Sequence, residues 1–301
     1  MHYWFRAGLC IALTFSSVST AALAKNAPVV VTEQARAVPG GRSVQVAVAQ
    51  TEIKSNINAS MLAEATGGGL LGGLLAASQN AARTKKAEAA IEPIRVAMTG
   101  FDADALAVSA TQTGLAGLGW MNSTPPVFTR DSSMLGRSAV LDAGANAQVA
   151  FIEYTYDLSP DFVTVRVVAS IDFANKAIGT ANPAKPETRL LPKNLAFHQT
   201  ITAIVALPAT GANMQANAAL WAADGAKLAR AALTKAFSQI GALMPRALTL
   251  TDADITALTA KDHKRTTLYG FTGRLVPTNT SGTLLWNDGD GGPGFIVAQS
   301  L

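Results

Sequence analysis

Asp288 and Asp290 alternate with glycine in Asn287-Asp288-Gly289-Asp290-Gly291-Gly292-Pro293-Gly294. Two carboxylates and the carbonyls of Gly289 and Gly291 are the hard oxygen donors that calcium prefers. A helix-loop-helix calcium site also needs a third oxygen side chain at the next alternate position and a distal Glu. Here Gly292 stands at that position and no Glu follows. Asp288 and Asp290 are therefore weak metal candidates, and a tight turn between two strands accounts equally well for the Asp-Gly steps.

His198 and His263 are the histidines beyond residue 24. His198 alternates with Thr200 and Thr202 on what reads as the polar side of a strand, which predicts solvent exposure. His263 lies in the charged stretch Lys261-Asp262-His263-Lys264-Arg265. Neither belongs to a His-x-x-x-His or Glu-x-x-His pair, so the helical zinc-ligand spacings do not occur. No Gly-x-Ser-x-Gly elbow places a nucleophile. The enzymatic option that remains is a hydrolase whose Ser, His and Asp come together from distant positions, and no residue is nominated as catalytic or cofactor-binding. Asp102 with Asp104 and Asp252 with Asp254 have the spacing of acid/base couples, but both pairs stand at predicted helix starts. Carboxylates there accept backbone N–H bonds and complement the helix dipole.

Thr66-Gly67-Gly68-Gly69-Leu70-Leu71-Gly72-Gly73-Leu74-Leu75-Ala76-Ala77 is the remaining unusual tract. It has no Gly-Lys-Ser/Thr, which excludes the phosphate-cradling loop. In a helix, Gly68, Gly72 and Ala76 recur every fourth residue, as do Gly69, Gly73 and Ala77, so small residues line one side where another backbone can approach. These six are candidates for membrane or oligomer contact, with Arg83, Lys85 and Lys86 at the level of lipid headgroups. Tight packing inside the domain is the alternative. Ser78, Gln79 and Asn80 interrupt the apolar run, and its core from Ala65 to Ala77 is short of the ~20 residues a spanning helix needs.

Residues 1–24 carry Arg6, an apolar run from Ala7 to Phe15, and Ala22-Leu23-Ala24. That layout predicts a cleaved export signal. Cleavage would remove the single cysteine, leaving an exported chain with neither disulfides nor thiolate ligands. It would also lower by one a formal charge of only +4, too little to steer the protein to nucleic acid. A cysteine-free mature chain of Ala-rich composition points to the periplasm or outer-membrane periphery of a gram-negative bacterium, with secretion as the alternative. With 49% hydrophobic and 15% charged residues, the chain can fill a sizeable core.

The elements that must position these residues follow from periodicity. Residues 25–42 read as a flexible or extended mature N-terminus. Val44, Val46 and Val48 alternate with polar or small residues and predict a strand over 43–50. Helices follow to about Ala90, with Pro93 ending or kinking the first, and from Asp102 to about Leu118. Val127-Phe128-Thr129 is a short strand. A hairpin runs from Val149–Tyr156 through Ser159-Pro160-Asp161 to Phe162–Phe173, and a further strand spans Leu195–Leu207. A long helix over Met214–Met244, closed by Pro245, puts Trp221, Leu228, Ala232, Ala236, Ile240 and Leu243 on one face. Residues 251–301 add a short helix opened by a capping box at Thr251, a strand over Thr266–Leu275, and another near Phe295–Ala298, within the same domain as 43–250.

This order predicts an α+β fold, a largely antiparallel sheet covered on one face by helices and including a glycine-rich helical segment. Val44–Gln50 ahead of a helix, Val127–Arg130, Ala145–Ile152 leading into the hairpin, and the late Ala-rich helix give a pattern that resembles envelope-assembly domains. Those domains are of the kind in the curli-secretion lipoprotein and the amino-terminal part of TolB. The likeness covers roughly Ser43 to Met244 by element order, and the lipid-bearing cysteine of the lipoprotein members is missing. The resemblance implies a non-catalytic envelope protein. Self-association or an envelope-protein partner is expected, with peripheral membrane contact as a further option and no cofactor. An exported hydrolase and a secreted interaction module are the alternatives.

Overall fold

A computed structural model describes residues 27–56, 70–176, 190–260, 264–278, 282–289 and 292–301, with backbone alone at 70–81. The fold is α+β. Its strands are β1 (Arg42–Val48), β2 (Lys54–Ser55), β3 (Val127–Thr129), β4 (Gln148–Leu158), β5 (Thr164–Asn175) and β6 (Leu195–Ala206), then β7 (Arg265–Leu268), β8 (Phe271–Val276), β9 (Thr283–Asn287) and β10 (Gly294–Ser300). They form one sheet in the order β3-β1-β4-β5-β6-β10-β9-β8-β7, with β2 also paired to β4. The β4–β5–β6 centre and the β10–β9–β8–β7 end are antiparallel, while β1 with β3 and β4, and β6 with β10, are parallel.

The helices are α1 (Glu33–Arg36), α2 (Leu70–Ala97), α3 (Ala103–Leu115), α4 (Met134–Ala143), α5 (Met214–Thr249) and α6 (Asp252–Leu258). The three long ones pack on a single sheet face. Val165, Val167, Ala169, Ile171 and Phe173 alternate along β5 and are all fully buried beneath them, as the period-two pattern predicts. α3 and α5 cross closely. A Cβ built on Gly241 would lie 2.8 Å from the carbonyl oxygen of Ala110, so glycine permits the approach. Gly114 permits the same approach, since a Cβ built on it would lie 3.1 Å from the carbonyl oxygen of Gly241.

Several local expectations are corrected. Of the two readings for residues 25–42, flexible or extended, the described part is anchored rather than flexible: Val31 is buried, the His198 N–H donates to Pro28 O at 2.8 Å, and Gln199 Nε2 donates to Val29 O at 2.6 Å. Pro93 does not end its helix, since α2 continues to Ala97 with Ile91 and Ile94 fully buried and Pro93 facing outward. The long helix likewise passes through Pro245 to Thr249, whose hydroxyl donates to Pro245 O. It is broken upstream, where Asp224, Gly225 and Ala226 take φ of 53°, 66° and 59°. That left-handed turn resets the helical phase, so Leu228 is only partly buried and the core stripe becomes Ala229, Ala232, Leu233, Ala236, Phe237 and Ile240. The strand expected over Thr266–Leu275 is the β7–β8 hairpin, turning at Tyr269 and Gly270 with φ of 50° and 83°.

The sheet also curls. β8 lies four strands from β5, so a flat sheet would separate them by about 19 Å at about 4.8 Å per strand. Yet the Arg166 guanidinium on β5 stands 5.4 Å from the centre of the Phe271 ring on β8. The β7–β8 hairpin therefore folds back over the face opposite the long helices, where Leu268 and Phe271 cover Ile204, Leu285 and Ile296.

A candidate ligand cleft and the buried polar clusters

Curling leaves a cleft of about 570 Å³ at the end of the β4–β5 hairpin. Asp157, Thr164 and Arg166 come from the hairpin strands, and Ser159, Pro160 and Asp161 from its turn. Arg83 and Lys86 come from α2, Met214 from the start of α5, and Tyr269, Gly270 and Phe271 from the returning hairpin. Arg166 forks onto both carboxylate oxygens of Asp157, with Nε at 2.9 Å from Oδ1. Burial pushes the Asp157 carboxyl above its usual range, against the opposing hydrogen bonds and charge of Arg166.

The turn itself is tightly held. Asp161 Oδ1 accepts from the Ser159 hydroxyl and the Val163 N–H. Phe162 adopts φ 57° and is fully buried, and its carbonyl accepts from Trp221 Nε1 at 2.7 Å. Asn217 Nδ2 donates to Asp161 O at 2.8 Å. The first turns of α5 thus clamp one wall of the cleft.

A second polar cluster sits on the sheet face opposite the long helices. Asp172 and His198 are register partners on β5 and β6. Asp172 Oδ1 and His198 Nδ1 are 2.6 Å apart, and Asp172 Oδ2 accepts from Arg137 of α4. His198 is only 9% exposed, so the expectation of an open surface position is wrong. A polar strand face was read as wet, but α4 and residues 27–31 pack over it. Burial alone would raise the Asp172 pKa. The hydrogen bond from His198 and the charge of Arg137 outweigh it and hold the carboxyl below its usual range. Nearby Glu153 is pushed up by burial, opposed by Arg137.

Ionised Asp172 is therefore favoured in the folded chain. Its contribution is fully present above the ordinary aspartate value of ~3.9 and is lost as pH falls through the lower folded value. Asp172→Asn is expected to cost about 1–3 kcal/mol at pH 7 and to flatten the fall in stability below about pH 4. Urea unfolding across that range measures both, and parallel profiles for variant and wild type would refute the assignment.

The other predicted site residues are dispersed. Asp288, one of the two weak metal candidates, is held by Arg265 and Arg274, the latter at 3.2 Å, so its carboxylate faces two cations. Asp290 and Gly291 lie outside the described residues, as does His263. No cluster of three His, Cys, Asp or Glu suited to a metal occurs among the described residues. The segment from Asn287 to Gly294 joins antiparallel β9 and β10, as the turn reading expects. Asp102 caps α3 through the Ala105 N–H, and Thr251 with Asp254 forms the capping box of α6. Asp104 does not cap; it pairs with Arg130.

Gly68 and Gly69 fall outside the described residues, while Gly72, Gly73, Ala76 and Ala77 lie in the helical backbone of α2. Among the described residues no helix is long and apolar enough to cross a membrane. No protein-family model, curated protein or solved structure matches this chain.

Sequence reasoning missed the cleft. Arg83 and Lys86 were visible as a basic group, but nothing local tied them to Asp157, Met214 and Tyr269.

Proposed function

We propose that the protein is an exported, non-catalytic binding or assembly protein of the cell envelope, in the periplasm or at the outer-membrane periphery. The observation that carries this reading is a contrast between charged groups. Asp102, Asp172, Asp254, Asp288 and His198 are closed into caps and ion pairs, whereas Arg83 and Lys86 face an open cleft. Export is supported by Arg6, the apolar run and Ala22-Leu23-Ala24. Resemblance by element order to envelope-assembly domains runs in the same direction. A partner protein, a second copy, or peripheral membrane contact through the small-residue side of α2 would supply attachment.

Expressed with residues 1–24 in a gram-negative host, the protein is expected in the periplasmic or membrane fraction with Lys25 as its first residue. Release from membranes by a high-salt wash would mark peripheral attachment. Retention in the cytoplasm with residues 1–24 intact would overturn the reading, and recovery from culture medium would favour a secreted interaction module.

A hydrolase is the second reading, favoured by the Asp172–His198 pair, because a carboxylate on Nδ1 orients a general base. Against it, Arg137 shares the carboxylate and weakens its hold on an imidazolium. Labelling by a fluorophosphonate, lost in His198→Ala, would establish the hydrolase.

A further inference from the structure

We propose that the cleft at the β4–β5 turn binds a small amphipathic anion, with one carboxylate, sulfate or phosphate head and an apolar chain or ring. The proposal rests on the reading of this chain as a binding protein and names the ligand chemistry of that site.

The charge pattern points to the head group. Arg36, Arg42, Arg95, Arg130, Arg137, Arg166, Arg230, Arg246, Arg265 and Arg274 each have an ion pair, hydrogen bond or ring contact. Among the described residues Arg83 is the arginine with none. It lines the cleft together with Lys86, three residues on and hence on the same side of α2. The two carboxylates in the lining are already engaged, Asp157 by Arg166 and Asp161 by its own turn. Three cations against two carboxylates leave the cleft positive, and a guanidinium beside an ammonium suits a planar or tetrahedral oxyanion.

The opposite wall accounts for the tail. Pro160, Met214, Tyr269 and Phe271 present apolar surface, and Tyr269 is 43% exposed. Its φ of 50° is a value that hairpin turns usually give to Asn, Asp or Gly. A tyrosine held there places an aromatic ring at the rim of the cleft, at the cost of backbone strain. The volume, about 570 Å³, falls within the ~300–1,000 Å³ of small-molecule sites. The groove of about 440 Å³ between residues 28–36 and 250–252 lacks this pattern. Its one cation, Arg36, is occupied by Glu33 and the Trp120 ring.

Titration calorimetry of residues 25–301 tests the proposal with three probes: decanoate, decyl maltoside and inorganic phosphate. Decanoate is expected to bind saturably, and the uncharged amphiphile and the bare anion at least about tenfold more weakly. The double variant Arg83→Gln/Lys86→Gln should lose about tenfold or more for decanoate. Lys85→Gln removes the same kind of charge beside the cleft but outside its lining, and should change binding by less than about twofold. Equal binding of decyl maltoside or of phosphate would overturn the proposal, as would an unchanged double variant or an equal loss in Lys85→Gln. Pelleting with phosphatidylglycerol vesicles in the absence of any decanoate binding would assign the cations to a membrane surface and refute the cleft. These titrations are independent of cellular location, so failed export and failed ligand binding remain separate results.

Discussion

Arg42→Met is expected to lower the free energy of unfolding by about 3–5 kcal/mol, the scale for breaking a buried charged network. Arg42 is 1% exposed at the start of β1. Its guanidinium donates to Gln148 Oε1, to Trp120 O at 2.9 Å, to Met121 O at 3.2 Å, to Ala35 O, and to Arg36 O at 3.0 Å. It also lies 5.0 Å from the centre of the Trp120 ring. None of these partners is a carboxylate, so carbonyl dipoles and a π-face stabilise the buried charge. Burial pushes the guanidinium pKa below its usual value.

The variant would leave the carbonyls of Ala35 and Arg36 in the last turn of α1 without these donors, together with those of the turn over Gly119–Met121. Three segments would lose their common bolt. Arg42→Lys should recover only part of the loss, because three mobile donors cannot serve five fixed acceptors. Urea unfolding decides the matter, and a cost under about 1 kcal/mol for Met would show that the network contributes little beyond packing.

Trp221→Ala should cost a similar amount, about 3–5 kcal/mol, as expected for deleting a large buried ring. The indole has no exposed surface and donates to Phe162 O at 2.7 Å. Its loss removes packing under the break in α5 and leaves a carbonyl unsatisfied in a turn already held at positive φ. Trp221→Phe separates these effects. It keeps most of the volume, so about 1–3 kcal/mol would report the lost hydrogen bond. Because the same turn forms a wall of the cleft, both variants should also weaken decanoate binding. Full stability in Trp221→Ala would show that the ring is not an anchor.

Much of the sheet and some of the caps were legible because they depend on local periodicity. The alternation in Val163–Phe173 specifies which side of a strand is apolar, and every inward residue from Val165 to Phe173 is buried. Thr251 and Asp254 identify a helix start through spacing that backbone geometry enforces. The left-handed turn at Asp224–Ala226 was not legible: the Ala-rich stretch around it is good helix former, and only Gly225 marks the site. The two prolines misled in the opposite sense. Buried neighbours on either side sustain the helices at Pro93 and Pro245, so tertiary packing overrides the local penalty.

By itself the sequence determined the α+β class, the hairpin and the absence of familiar catalytic motifs, and it set export as an expectation only. Tertiary structure decided that Asp172 meets His198, that Arg42 is buried, and that Arg83 and Lys86 share a cleft with Tyr269. The first of these depends on the register between β5 and β6, the second on what packs over the start of β1, and the third on the accumulated curl of the sheet. Periodicity constrains a residue's face within its own element, because side-chain direction follows from local backbone dihedrals. It carries no information on which distant face will lie opposite, since that choice is made by the packing of the whole chain.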